Sequence, residues 1–189
     1  MNIVQVGTNQ ANDDLTKIIG TTEPNILILI EPVSFHNEKI NLCYNWITNK
    51  HIENIAIKTI NTHNQDNLIF FLHPKDAPLY EVATPNIEHL YKHGLDWREA
   101  QQISVPCFYL SDIFKKYNLS DIDILFLDCE GMDDDIIKTI DLNFYNIKKI
   151  YFENIHLKNQ EIYEYLITKG YEIIEKTGSC GWSSLAIKK

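Results

Sequence analysis

Asp128 and Glu130 close a short apolar run, Ile124 to Leu127, and Gly131 follows them directly. The run is too short for a helix and turn residues lie behind it, so it reads as a strand buried on both faces. A helix-like pattern begins at Asp133. An acidic tip at the carboxyl end of a central parallel strand is where open α/β sheets bind ligands. The plainer alternative is that the two acids only cap the following helix, whose first turn, Asp133-Asp134-Asp135, reads as solvated and suited to the dipole. Other apolar runs also end in polar residues. Ile3 to Val6 leads to Gly7-Thr8-Asn9, Ile26 to Ile30 to Glu31-Pro32, and Lys149 to Phe152 to Glu153-Asn154.

Those ends need a scaffold that brings them together, and the rest of the chain predicts one. Helical patterns follow at Leu15 to Ile19, Phe35 to Ile47, Ser111 to Tyr117, Asp135 to Ile140 and Gln160 to Lys169. In the second of these, Phe35, Ile40, Leu42, Cys43 and Trp46-Ile47 form the expected apolar face. Ile55 to Ile57 and Leu68 to Leu72 read as a third and fourth strand, paired as neighbours through a polar turn. Pro74 to Gln102 is an irregular excursion with its best helix at Ile87 to Tyr91. Such excursions are usually lids or binding loops. Tyr171 to Glu175 and Ser184 to Ile187 read as a terminal hairpin. Alternating strands and helices call for an α/β fold with a mostly parallel sheet, helices on both faces and one antiparallel C-terminal strand.

The whole chain, 1–189, is of a size for one domain with a sizeable core. Its 44% hydrophobic and 23% charged residues are ordinary for a globular protein. A formal charge of −9 argues against nucleic acid as a partner. No apolar run is long enough to span a bilayer. Cys43, Cys107, Cys129 and Cys180 are scattered without a C-x-x-C pair, which predicts reduced thiols and, with a start lacking a signal-peptide pattern, a cytoplasmic protein.

In order and spacing, Val4-Gln5-Val6-Gly7-Thr8-Asn9 with Asp13-Asp14-Leu15, Ile30-Glu31-Pro32-Val33 and Leu127-Asp128-Cys129-Glu130-Gly131 resemble the FkbM-type methyltransferase family. Phe152-Glu153 before His156-Leu157 extends the resemblance over almost the whole chain. It implies the Rossmann-like class I methyltransferase fold and S-adenosyl-L-methionine as cofactor. It further implies methylation of a hydroxyl on a small-molecule or glycan acceptor, such as a sugar or secondary metabolite. Gly7, Thr8, Asn9 and Asp14 would seat the methionine moiety, with Gly7 letting a ligand approach backbone N–H groups. Glu31, beside Pro32, would accept both ribose hydroxyls, and Ala56 would border the adenine. Thr8, Gln10 and Ala11 depart from the family's loop, which keeps open a degenerate member acting as an interaction module. Gly7 has no second or third glycine for a pyrophosphate, so a nucleotide-dependent oxidoreductase ranks third.

For the chemistry, Asp128 is expected to serve as general base, with Glu153 facing the same crevice and His156 a second base. Asp128, Glu153 and Asn154 could instead hold Mg²⁺ through oxygen ligands. The metal-free version is expected, because His156 offers a base without a cation and one of the three ligands would be a neutral amide.

Overall fold

The computed structural model describes residues 1–11, 14–154, 161–177 and 183–189. In chain order the elements are β1 (Asn2–Val6), α1 (Leu15–Ile19), β2 (Ile26–Ile30), α2 (Asn37–Cys43), β3 (Lys50–Glu53), β4 (Ala56–Ile57), β5 (Asn67–Leu72) and α3 (Ile87–Lys92). There follow β6 (Gln101–Phe108), α4 (Leu110–Lys116), β7 (Asp121–Ile122), β8 (Ile124–Leu127), α5 (Asp133–Ile137) and β9 (Asn146–Ile147). The last are β10 (Lys149–Glu153), α6 (Glu161–Thr168), β11 (Tyr171–Thr177) and β12 (Ser183–Lys188).

Seven strands form the main sheet in the order β11-β12-β10-β8-β1-β2-β3. β3, β2, β1, β8 and β10 are mutually parallel, and β12 runs antiparallel between β10 and β11. The expected antiparallel C-terminal strand is therefore present. Strand alternation then divides the core in two. Val4, Val6, Ile28, Ile30, Leu125 and Leu127 pack with residues of α4, α5 and α6, while Ile3, Leu27, Leu29, Ile124 and Phe126 pack with α1 and α2. Helices thus cover both faces.

Three expectations need correction. The third strand of the main sheet is Lys50–Glu53, not Ile55 to Ile57. Its four residues are all half-buried, as suits an edge strand, and their polarity hid it from an apolar pattern. Second, β4 and β5 do not pair with each other. Both flank β6 in a separate three-stranded sheet, β4 parallel to it and β5 antiparallel. Third, the Phe35 to Ile47 segment buries Ile40, Tyr44 and Ile47 and leaves Phe35 and Leu42 more than half exposed. It winds as a 3-10 turn, Ser34–His36, before α2, so the face rotates away from the one a single helix would show.

β1 and β8 lie side by side, Val6 opposite Leu127, but the chain leaves β1 toward β2 and β8 toward β10. Between strands whose connections depart in opposite directions, the carboxyl ends open a crevice that nothing in the sheet fills.

Candidate functional site

A cavity of 370 Å³ occupies that crevice, a size normal for small-molecule sites, which span about 300–1,000 Å³. The end of β1 contributes Gly7, Thr8 and Asn9, the end of β2 Glu31 and Pro32, and the end of β8 Asp128, Cys129 and Glu130. Ile55, Ala56, Ile57, Leu68 and Phe70 supply an apolar wall, and Tyr80, Glu81 and Ala83 reach in from the excursion. Of the expected residues, Gly7, Thr8, Asn9, Glu31, Pro32, Ala56 and Asp128 therefore line one space. Asp14 does not. It stands at the start of α1 with Oδ1 2.7 Å from Lys17 Nζ. Glu153 is absent from the lining, and His156 lies outside the described residues.

The loop after β1 works differently from the expectation. The N–H groups of Gly7 and Thr8 donate to the Ile30 carbonyl, and Asn9 N–H donates to Glu31 Oε2 at 2.6 Å. Three successive donors are thus spent on the tip of β2 rather than offered to a ligand. The glycine is needed for another reason. Gly7 has φ +78°, and a Cβ there would stand 1.8 Å from the Asp128 carbonyl oxygen. The close approach is between two strand ends. Ala11 also has positive φ (59°), and its methyl is buried against the α1–α2 side of the core. Its strain of about 1–2 kcal/mol is set against roughly 0.8 kcal/mol of methyl burial.

Glu31 is 4% exposed, with Oε1 accepting from Val33 N–H at 2.8 Å and Oε2 from Asn9. Burial pushes its carboxyl up to about 7 despite those two bonds. A carboxylate offers about four lone-pair sites, so each oxygen keeps capacity for a further donor from the cavity. Asn9 also ties the loop to the excursion, its Nδ2 donating to the carbonyls of Leu79 and Tyr80.

Asp133 is not the solvated helix-turn residue its sequence suggests. It is 2% exposed, and its two oxygens accept the N–H groups of Cys129 and Glu153, each at 2.8 Å. One carboxyl thereby staples the end of β8 to the end of β10. Burial raises it to about 6. Asp133→Ala is expected to cost about 2–5 kcal/mol in urea unfolding, because two buried donors lose their acceptor together. A loss below half a kcal/mol would mean that those N–H groups find other partners.

Glu153 is pushed to about 9, first by burial and then by Asp128, Glu130 and Asp133. Both causes favour its protonated form, which donates a hydrogen bond rather than taking a proton. Asn154 donates to Ser184 Oγ at 3.2 Å. The trio of Asp128, Glu153 and Asn154 therefore gives little support to an octahedral Mg²⁺. The thiol of Cys129 is held far above its usual range by burial and by Asp133 and Asp128, which makes it inert as a nucleophile.

Sequence reasoning missed Leu68, Phe70, Tyr80, Glu81, Ala83, Met132 and Ile136. Most sit in or after segments whose pairing depends on β6. No local pattern announces that. The model for the Methyltransferase FkbM domain matches residues 5–173, and no curated protein matches the chain significantly.

Proposed function

Because this chain belongs to the FkbM methyltransferase family, we propose that it transfers a methyl group from S-adenosyl-L-methionine to a hydroxyl oxygen of a sugar, glycan or secondary metabolite. The strand order, with β12 reversed between β10 and β11, supports the class I methyltransferase fold, carried by one domain over 1–189. One observation carries the reading: three strand ends bring Gly7, Thr8, Asn9, Glu31, Pro32 and Asp128 around a single cavity, faced by Ala56 of β4, at the point where the connections diverge. The cofactor's part is to supply a methyl on a positively charged sulfur.

Glu31 accepts the ribose hydroxyls. The apolar wall of Ile55, Ala56, Ile57 and Phe70 takes the flat base, and Asp128 takes the acceptor's proton. Transfer of the methyl to the acceptor oxygen would be an in-line displacement that leaves the cofactor as a neutral thioether. Such an in-line displacement depends on alignment and a deprotonated oxygen, both of which a fixed carboxylate at a strand end supplies. Cys43, Cys107 and Cys129 are free thiols, in keeping with a cytoplasmic setting. Among the described residues no helix is long and apolar enough to cross a membrane.

Calorimetric titration with S-adenosylhomocysteine and with NADH tests the assignment. Binding of the first alone is expected. Binding of NADH would favour the oxidoreductase, and binding of neither would favour a degenerate fold that serves as an interaction module.

The charge on Glu31 gives the titration a signature. Its folded-state value near 7 lies above the unfolded 4.5, so the group's contribution to folding is full below 4.5 and is lost as pH rises through about 7. Ligand binding runs the other way, since hydroxyl donors favour the ionised carboxylate. S-adenosylhomocysteine affinity should rise from one unit below that value to one unit above it. Glu31→Gln should flatten the profile and weaken binding on the alkaline side by about 1.5–3 kcal/mol. A native profile as flat as the variant's would remove Glu31 from the ribose role.

A further inference from the structure

The excursion between β5 and β6 returns to the end of β8 and meets it with ligand-type side chains. His89 lies in α3 and His93 closes that helix, four residues on, so the two rings share one face. Their centroids are 4.7 Å apart. His89 is 3% exposed, and its Nε2 lies 2.8 Å from Glu130 Oε2. One ring nitrogen from each histidine and one Glu130 oxygen all fall within 4.8 Å of one another. Glu130 is at the same time a wall of the cavity.

We propose that His89, His93 and Glu130 bind one divalent transition-metal ion, of the Zn²⁺ type, at the edge of the cofactor cavity. Two imidazoles and a carboxylate suit Zn²⁺, whereas Mg²⁺ prefers an all-oxygen shell. Bonds of about 2.0–2.2 Å to a tetrahedral ion put its ligand atoms roughly 3.4 Å apart. The present cluster needs only a modest contraction. His93 is exposed and Glu130 is 25% exposed, so both have room to turn toward a fixed His89. The charge balance favours a cation as well, with Asp128 two residues from Glu130 and the chain at −9. Three protein ligands leave a fourth position open. Through Glu130 that position borders the cavity, where it receives an oxygen of the methyl acceptor. The acceptor role rests on the methyl-transfer reading; the ion site does not.

The test is titration of the chelator-treated full chain with Zn²⁺ by calorimetry and with Co²⁺ by visible absorption. One equivalent is expected, with the intense visible bands of a tetrahedral nitrogen–oxygen site and no thiolate charge-transfer band. Glu130→Gln and His89→Gln should each weaken binding about tenfold or more, through loss of one of three ligands. His93→Ala, at an exposed position where folding is not at stake, should do the same. His63→Ala, an exposed histidine on another loop, should not. Binding that survives His93→Ala, that falls with His63→Ala, or that carries a thiolate band would overturn the site. No binding at all would leave the His89–Glu130 contact as a plain tether and also overturn it. Titrating the same native sample with S-adenosylhomocysteine separates the two readings. Cofactor bound without metal defeats the ion site alone, and metal bound without cofactor defeats the methyl-transfer reading alone.

Discussion

Replacing Gly7 with alanine is expected to cost upwards of about 3 kcal/mol of folding stability and to abolish S-adenosylhomocysteine binding at the same time. The new methyl would sit 1.8 Å from the Asp128 carbonyl oxygen, and its backbone would be held at φ +78°. Neither partner can yield cheaply. Gly7 N–H is bonded to Ile30 and Asp128 N–H to Val6, so both belong to the hydrogen-bonded frame of the sheet. Separating them drags the loop that presents Asn9 away from Glu31. Gly94 supplies the control, because it shares a positive φ (70°) but has nothing within 4 Å of its added Cβ. Gly94→Ala should show only the backbone cost of about 1–2 kcal/mol. Urea unfolding and calorimetry on both variants decide the matter. Equal losses at the two positions would show that the strand-end contact carries no weight.

Asp128→Asn is the second large effect, and it should separate chemistry from binding. The substitution keeps the shape of a residue whose backbone is fixed by the Val6 carbonyl, so the cavity should survive intact. A neutral amide cannot receive the acceptor's proton. kcat should fall by about 10²–10⁴ while S-adenosylhomocysteine affinity changes little. Single-turnover transfer from labelled S-adenosyl-L-methionine to a hydroxyl acceptor is the direct measurement. Full turnover in the variant would move the base elsewhere, with His156 next to be replaced.

The strand tips were legible because each follows an uninterrupted apolar run and a turn residue, signals that live within ten residues of one another. Glu31 and Asp128 were found this way, and the structure adds why their backbones are fixed. Gly7 was found for the wrong reason: a sequence shows that a glycine stands after a strand, but not which atoms crowd it. β3 escaped because an edge strand can be polar. The pairing of β4 and β5 escaped because the strand between them, β6, comes later in the chain. Asp133 was misread because charge in a helix's first turn predicts solvent, and only the approach of β10 explains its burial. The contact of His89 with Glu130 is of the same kind. Each miss is a long-range packing event that outweighs a local preference.

The position of β1 has a kinetic consequence. Its neighbour on one side, β2, follows within a few tens of residues, but on the other side Ile3 waits for Ile124, a separation like the 121 residues between bonded Asn2 and Asp123. During synthesis, β1 and β2 therefore stand for most of the chain's production with one ladder edge open and their apolar faces only partly covered. Loop closure over that span must be met before the central pairing rewards it, which slows folding and lengthens the time in which the exposed edge can find another chain. A chaperone holding β1 and β2 until β8 has emerged would act on the step that everything at the strand ends awaits.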